Sequence, residues 1–320
     1  NGVWESKIGL GLAALGRPEY INVRSHLDVD KSIEAYRSNA FKVMDFAYEN
    51  GIRHFDTAAS YGKGEQFLLE WNKKHAYKDV KLSSKWGYSY VANWEIGFKG
   101  QHEIKEHSLS KLQEQWRSAQ KLLPALNTYQ IHSATFESGV LENIEVLEAL
   151  QRIKEATGVK IGLSVSGANQ SEILEAAFGI KVNKKSLFDS FQATFNILEQ
   201  SSFMMLKKLM QHKKNVIIKE GLANGRLFEN HNYLHYKDLY RLLKRLADKY
   251  GVGVDAIALR FVMDLLEPQL LLSGASTVRQ LKENMLARSF VLDKSELSEL
   301  KSFSSDPNQY WQERSLLLWH

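Results

Sequence analysis

The sequence has no cysteine and only four prolines among its 320 residues. Without cysteine the chain can form neither a disulfide framework nor a zinc site built on thiolates, and it fits a reducing compartment such as the cytoplasm. So few prolines argue against long disordered linkers. We therefore expect a folded cytoplasmic protein without disulfides and without a metal site.

Charge of one sign and long apolar runs are also scarce. The chain has 42 Lys and Arg against 37 Asp and Glu, which gives a formal net charge of +5. It contains no run of five or more like charges, which argues against a nucleic-acid-binding tail. No apolar stretch reaches the roughly 18 residues of a membrane span, and the first residues, NGVWESKIGL, lack a signal-peptide pattern. We therefore expect neither a nucleic-acid partner nor a membrane.

The apolar residues that are present, 44% of the chain, suffice for a sizeable core and follow a regular alternation. Short β-branched or apolar runs are each followed by at least one longer segment of helical periodicity. The runs predicted as strands are 7–15, 52–56, 80–85, 128–132, 159–165, 190–196, 215–220 and 269–274. The chain therefore reads as eight strand–helix units.

Repeated strand–helix units give parallel strands that are joined by right-handed crossovers. Eight such units in a chain of 320 residues predict an α/β fold, a closed (β/α)8 TIM barrel. We expect one domain over residues 1–320, with extra loops and a C-terminal helix. The alternative is an open doubly wound sheet. That alternative is weakened because no Gly-x-Gly-x-x-Gly turn opens a helix after the first strand.

Polar residues end successive predicted strands. Asp56 ends the second strand, Lys85 the third and His132 the fourth, and Tyr61 follows Asp56 by five residues in a glycine-flanked loop. Taken singly, such residues more often cap turns or point to solvent. In a TIM barrel, however, catalytic residues come from the C-terminal ends of several strands. Their joint placement predicts that these four side chains meet at the barrel mouth.

Such a group could reduce a carbonyl compound. A phenol acts as a general acid when its pKa, normally about 10, is lowered, and an ammonium at Lys85 would lower that of Tyr61. Asp56 would keep Lys85 charged in a partly buried site, and His132 could donate to the carbonyl oxygen. The hydride must come from a cofactor such as a reduced nicotinamide, since no side chain supplies one.

Several fragments resemble the aldo-keto reductase superfamily, over roughly residues 6–290. The most specific are HFDTAASYG, LSSKWG, YQIH, GLSVS, GLANGRL and SGASTVRQLKEN. The resemblance implies an oxidoreductase that uses NADPH, with NAD as a second possibility, to reduce an aldehyde or ketone to an alcohol. It also implies that Tyr61 is the general acid and that Asp56, Lys85 and His132 complete the family's catalytic tetrad.

The same resemblance implies an extended dinucleotide across the barrel mouth. Ser164 and Gln192 would contact the carboxamide, and backbone N–H groups of the loop at 221–227 would wrap the pyrophosphate. The positions matched to the cofactor are Ser164, Gln192, Lys219, Gly221, Leu222, Gly225, Ser276, Gln280, Glu283 and Asn284.

Three positions depart from the family pattern. Lys219 stands where an aromatic residue usually stacks on the nicotinamide, and Val165 stands where Asn or Arg is common. Gln280 stands where an Arg often holds the 2′-phosphate, a role that the adjacent Arg279 could take. The sequence therefore favours NADP(H) over NAD(H) without deciding between them.

Aromatic residues of the loops are the candidates for substrate binding. They are Trp86, Tyr20 and Trp94, and they indicate a small carbonyl compound without naming it. Two other functions stay open. One is an aldolase that forms a Schiff base on Lys85, and the other is a cofactor-sensing regulatory barrel that resembles potassium-channel β-subunits. The sequence does not indicate an oligomeric state.

Overall fold

Eight parallel strands close into a barrel in the computed structural model, which describes residues 7–21 and 30–320. The strands are β1 Ile8–Gly11, β2 His54–Asp56, β3 Lys81–Trp86, β4 Leu126–Ile131, β5 Lys160–Ser164, β6 Ser190–Thr194, β7 Asn215–Lys219 and β8 Leu270–Ser273. Each strand pairs with the next, and β1 pairs with β8, which closes the barrel. The TIM barrel is confirmed, and the open sheet was the wrong alternative.

Helices connect the strands and form the outer layer. They are α1 Ile33–Glu49, α2 Gly64–His75, α3 Leu109–Ala119, α4 Ile144–Thr157, α5 Gln170–Phe178, α6 Phe203–Gln211, α7 Lys237–Tyr250, α8 Val254–Leu265, α9 Val278–Met285, α10 Lys294–Lys301 and α11 Pro307–Ser315. A hairpin of Tyr88–Tyr90 and Glu103–Lys105 follows β3. In the ranges that the structure describes, no helix is long and apolar enough to cross a bilayer.

Local chemistry sets the ends of these elements, as α1 and α4 illustrate. The α1 helix begins at Ile33, because Ser32 caps it by accepting a hydrogen bond from the Ala35 N–H. Similarly, Asn143 caps α4 through the Val146 N–H, and α4 ends at Gly158, whose φ is +73°. The β1 strand is shorter than predicted because turns begin at residue 13.

The strand register aligns the polar strand ends at one rim of the barrel. Lys85 pairs with Gln130 across β3 and β4, and Ser164 pairs with Gln192 across β5 and β6. Lys219, the last residue of β7, stands beside Thr194. Polar side chains from five strands therefore stand at or near the C-terminal rim, where TIM barrels hold their sites.

Candidate active site

A cavity of about 680 Å³ lies at this rim. It is lined by all four predicted catalytic residues, Asp56, Tyr61, Lys85 and His132. It is also lined by the ten positions matched to the cofactor, which are Ser164, Gln192, Lys219, Gly221, Leu222, Gly225, Ser276, Gln280, Glu283 and Asn284. The structure thus gathers into one cavity residues that the sequence spreads over more than two-thirds of the chain.

Lys85 is the centre of the polar cluster at the inner end. Its Nζ lies 2.5 Å from Asp56 Oδ2, 3.1 Å from the Thr57 carbonyl oxygen and 3.3 Å from Tyr61 Oη. The exposed fractions of the Lys85 and Asp56 side chains are 1% and 4%. All three hydrogens of the ammonium therefore have an acceptor. Because Lys85 donates to the Tyr61 oxygen, the phenol's own proton is left to point elsewhere.

Two glycines let Tyr61 reach this position. The loop after β2 is tied to β3, since the Ala59 N–H donates to the Lys85 carbonyl oxygen at 3.1 Å. Gly62 has φ +58°, and a Cβ there would lie 2.4 Å from the Gly16 carbonyl oxygen. A Cβ on Gly16 would lie 2.2 Å from the Tyr61 carbonyl oxygen. Only glycine at both positions allows the loops after β1 and β2 to approach so closely.

The pKa of Tyr61 shifts in the direction opposite to the sequence-based expectation. Burial raises it above its usual range, the Asp56 carboxylate raises it further, and the Arg17 guanidinium lowers it. The expectation was wrong because it left out burial, which is the largest cause, and because it counted the charge of Lys85 alone, whereas Asp56 sits 2.5 Å from that ammonium and compensates it. The phenol therefore keeps its proton at neutral pH and is a donor at rest.

His132 is a neutral imidazole. Burial lowers its pKa well below the usual range, and the cations of Lys85 and Lys219 lower it further. Its ring meets that of Tyr61 edge to face at a centroid distance of 5.6 Å, and its Nδ1 lies 3.3 Å from Ser60 Oγ. A neutral imidazole carries one N–H, which can donate to an oxygen between His132 and Tyr61.

The wider part of the cavity fits an elongated polar ligand. Ser164 Oγ accepts from the Ser133 N–H at 2.9 Å, and Gln192 donates to Gln130 at 3.2 Å, so both side chains are held in place. Asn224 lines the cavity with a buried Oδ1 that has no hydrogen-bond partner among the described residues. A Cβ added at Gly274, also in the lining, would meet no atom within 4 Å. The unpaired acceptor at Asn224 can accept a hydrogen bond from a ligand, and the open space beside Gly274 leaves room for one. Both features suit a dinucleotide.

The far end of the cavity is the N-terminus of α9. Thr277 caps this helix, and Gln280 Oε1 accepts from the Ser276 N–H and Oγ at 2.9 and 3.0 Å. The Gln280 oxygen is thereby occupied within the loop. Arg279 is 88% exposed and pairs with Glu283 at 3.3 Å. Arg279 is not among the residues that line the cavity, so its role in binding a phosphate at this end stays a prediction.

Lys219 ends β7 inside the cavity. Its Nζ donates to Ser166 Oγ at 2.8 Å and to Thr194 Oγ1 at 3.1 Å, and burial lowers its pKa to about 8. Glu220, the next residue, binds Arg314 of α11 in a bidentate pair, with Nη2–Oε1 at 2.6 Å and Nε–Oε2 at 3.0 Å. No sequence pattern signalled this pair, because its members lie 94 residues apart.

The residues after α11 form one wall of the mouth. Ile21 and Trp319 make an isolated β-bridge, and the Tyr20 N–H donates to the His320 carbonyl oxygen at 3.2 Å. The buried Arg17 guanidinium lies 4.5 Å from the ring centre of Tyr20 and 4.9 Å from that of Trp319, and it pairs with Glu103 at 2.5 Å. Tyr20 therefore lines the cavity, as predicted for a substrate-facing residue.

The structure does not bring Trp86 and Trp94 into the cavity. Trp86 follows Lys85 in β3, so its side chain points to the opposite side of the strand, where it is fully buried 5.7 Å from the His107 ring. Trp94 packs edge to face on Tyr36 at 5.4 Å and donates to the Lys31 carbonyl oxygen. The prediction that Trp86 binds the substrate is wrong, because the alternation of side chains along β3 directs Trp86 away from the side of Lys85.

Tyr88 is an aromatic residue of the cavity that was not among the predicted substrate-binding residues. It lines the cavity, and its ring lies 4.9 Å from that of His132. Tyr88 stands three residues after Lys85, in the first strand of the hairpin. An aromatic wall beside His132 is therefore present, but it comes from the hairpin rather than from β3.

Comparisons with known proteins agree with this geometry. The model of the Aldo/keto reductase family matches residues 7–305. The uncharacterized oxidoreductase YqkF of Bacillus subtilis is 24% identical, over 88% of this chain and 87% of its own length. The probable aryl-alcohol dehydrogenase AAD4 of Saccharomyces cerevisiae is 22% identical, over 83% of this chain and 88% of its own.

Solved structures share the fold. The holo form of the aldo-keto reductase AKR11C1 from Bacillus halodurans superposes with a TM-score of 0.68 at 20% identity, covering 94% of this chain and 92% of its own. The putative aldo-keto reductase PA4992 from Pseudomonas aeruginosa gives a TM-score of 0.60 at 18% identity, covering 89% and 91%. At such identities the likeness establishes the barrel fold alone, and the chemistry has to be argued from the residues of this chain.

Proposed function

Because the chain belongs to the aldo/keto reductase family and its relatives are oxidoreductases, we propose that it is an NADPH-dependent reductase that converts an aldehyde or ketone to an alcohol. One observation carries the proposal. Lys85 Nζ contacts both Asp56 Oδ2, at 2.5 Å, and Tyr61 Oη, at 3.3 Å, within a cavity that also holds His132. This arrangement suits the delivery of a proton to a carbonyl oxygen.

In this proposal Tyr61 is the proton donor. Its raised pKa keeps it protonated until a carbonyl oxygen gains negative charge, and the phenol O–H bond then breaks as the alcohol O–H bond forms. Lys85 already donates to the phenol oxygen, so it stabilises the phenolate without rearrangement. The neutral His132 would donate its N–H to the same carbonyl oxygen and orient it. Asp56 acts as a positioning residue for Lys85.

A bound NADPH would supply the hydride. Ser164 and Gln192 would hold its carboxamide, the loop at 221–227 its pyrophosphate, and Ser276, Gln280, Glu283 and Asn284 its adenosine end. Their common position along one cavity supports this assignment. The substrate would be a small carbonyl compound between Tyr20 and Tyr88, and we propose the cytoplasm as its location, which fits a chain without cysteine.

The contacts of Lys85 weigh against the aldolase alternative. A Schiff base forms on a neutral amine with a free lone pair. The Lys85 nitrogen instead faces three acceptors, one of them a buried carboxylate, and these favour the ammonium. The regulatory alternative can be distinguished from a reductase by experiment, because a regulatory barrel would bind the cofactor but show little turnover.

Steady-state NADPH oxidation with a panel of aldehydes, including 4-nitrobenzaldehyde and methylglyoxal, tests the proposal. We expect substrate-dependent loss of NADPH absorbance and formation of the alcohol. Tight cofactor binding without turnover on any aldehyde would favour the regulatory barrel. A borohydride-trapped adduct on Lys85, formed without nicotinamide, would favour the aldolase and overturn the proposed chemistry.

Arg279 is expected to govern the choice between NADPH and NADH. We expect Arg279→Ala to raise the Kd for NADPH by about tenfold and leave that for NADH unchanged, because an exposed guanidinium gains about 1.4 kcal/mol from one phosphate. Tryptophan quenching can measure both constants. Arg241→Ala, at an exposed arginine of α7 that pairs with Asp238, is the control and should leave both constants unchanged. An equal rise of the Kd for NADPH and of the Kd for NADH in Arg279→Ala would contradict this assignment.

A further inference from the structure

Among the residues that the structure describes, Lys219 carries the excess charge of the inner cavity. Three ion pairs there balance their own charges, and they are Lys85–Asp56, Arg17–Glu103 and Arg314–Glu220. Lys219 has two hydroxyl partners instead, Ser166 and Thr194. Its nearest carboxylate oxygen, Glu220 Oε1, is 3.9 Å away and already accepts from Arg314 at 2.6 Å. Lys219 is therefore only partly compensated.

The ammonium of Lys219 lies close to the residues proposed to hold the nicotinamide. Its partners Ser166 and Thr194 come two residues after Ser164 and Gln192, just beyond β5 and at the end of β6. Gln192 and Thr194 both belong to β6, where two residues span about 6.6 Å and their side chains share a face. A ring bound against Ser164 and Gln192 would therefore stand within one such step of a buried positive charge.

We propose that Lys219 makes the cavity select the reduced over the oxidised nicotinamide cofactor. The inference rests on the proposed function, because it takes the nicotinamide to lie against Ser164 and Gln192. The two cofactor forms differ in one charge, since the oxidised ring is a cation and the reduced ring is neutral. Like charges about 6 Å apart, at an effective dielectric near 20, repel enough to change a Kd by at least tenfold.

The charge of Lys219 would make the forward and reverse reactions differ in how much cofactor they require. A cavity that disfavours the cationic ring binds NADPH well and releases NADP⁺ readily after the hydride has left. Weak binding of NADP⁺ limits product inhibition during carbonyl reduction and raises the NADP⁺ concentration that alcohol oxidation requires, while the equilibrium of the reaction is unchanged. Lys219 would determine specificity for the redox state of the cofactor. It neither donates nor accepts a proton in the reaction.

Binding measurements on charge-altered variants test this inference without turnover. We would titrate NADPH and NADP⁺ by tryptophan quenching into the wild type, Lys219→Met and Lys219→Arg. Lys219→Met removes the charge at similar length, so it should tighten NADP⁺ by about tenfold or more and keep NADPH within about threefold. Lys219→Arg retains the charge and should keep the wild-type ratio. The exposed Lys121→Met serves as a surface control.

The unaltered protein provides a second readout through pH. Burial lowers the pKa of Lys219 to about 8, so its charge is present below that pH and lost above it. The preference for NADPH should therefore decline by about tenfold between about pH 6.5 and about pH 9.5. In Lys219→Met the preference for NADPH over NADP⁺ should be low and independent of pH. In Lys219→Arg it should be high and independent of pH. The 2′-phosphate is common to both cofactor forms, so its own titration cancels in the ratio.

The other groups that face Lys219 hold their charge over this range. Glu220 has a lowered pKa, Arg314 a raised one, and His132 is neutral throughout because its pKa is well below the usual range. The pKa values of Tyr61, Tyr20 and Tyr310 are raised, so these phenols stay neutral. The remaining charged neighbours are the ion-paired Lys85 and Asp56 across the barrel.

The outcomes separate the two proposals. If both cofactor forms bind and their ratio is the same in Lys219→Met as in the wild type, the inference fails while the proposed function stands. If neither form binds the wild type, the proposed function fails and the inference fails with it. A pH-independent ratio in the wild type overturns the inference even if Lys219→Met does not fold.

Discussion

Tyr61→Phe is expected to lower kcat for carbonyl reduction by about 10²–10⁴-fold while leaving the Kd for NADPH within about threefold. The variant removes a single hydroxyl at the inner end of the cavity and keeps the ring that packs edge to face on His132. Lys85 keeps Asp56 and the Thr57 carbonyl oxygen as partners, so the fold around it should persist. Only the proton donor is lost.

The matched control is Tyr88→Phe. Tyr88 lines the same cavity and lies 4.9 Å from the His132 ring, yet it does not contact Lys85 through its hydroxyl in the structure. Its loss should change KM more than kcat. Steady-state rates of both variants against 4-nitrobenzaldehyde, with cofactor binding measured separately, make the comparison. Turnover in Tyr61→Phe that is close to the wild-type rate would show that another group protonates the substrate.

Lys85→Met should abolish turnover and also destabilise the fold by about 3–5 kcal/mol, because it leaves a buried carboxylate without its counter-charge. Asp56 is 4% exposed and would retain only hydrogen bonds from Ser83 and Gln130, at 2.5 and 3.2 Å. Urea unfolding followed by tryptophan fluorescence measures the change in the free energy of unfolding. The midpoint should fall with the slope unchanged.

A second substitution separates stability from catalysis. Lys85→Met with Asp56→Asn replaces the ion pair by a neutral pair, so most of the lost stability should return. Activity should not return, since neither residue can then stabilise the Tyr61 phenolate. If Lys85→Met costs less than about 1 kcal/mol, the pair must be hydrated and its electrostatic role in the mechanism is smaller than proposed.

The sequence predicted the barrel and the residues that meet in it, because both depend on local patterns. Strands of a TIM barrel run in order around the ring, so the ends of consecutive apolar runs converge without any long-range information. For this reason Asp56, Lys85 and His132 could be placed together from their strand positions alone. The glycines beside Tyr61 likewise marked a tight loop, although not that the loop packs on Gly16.

What the sequence could not supply depends on burial and on distant partners. The direction of the Tyr61 pKa follows from how deeply the phenol is buried and from the compensation of Lys85 by Asp56, and neither is a property of spacing. The Glu220–Arg314 pair joins β7 to α11 across 94 residues. Trp86 is a different case, because strand alternation was available and would have placed it opposite to Lys85.

The wall formed by the residues after α11 has a practical consequence for anyone who produces this protein. His320 lines the cavity, and its backbone pairs with Tyr20 at the mouth. A bulky label attached at His320 would therefore stand beside the entrance and compete with whatever enters. Labels are better placed elsewhere, for example at the exposed Lys121, and kinetic constants should be compared before and after any labelling at the mouth.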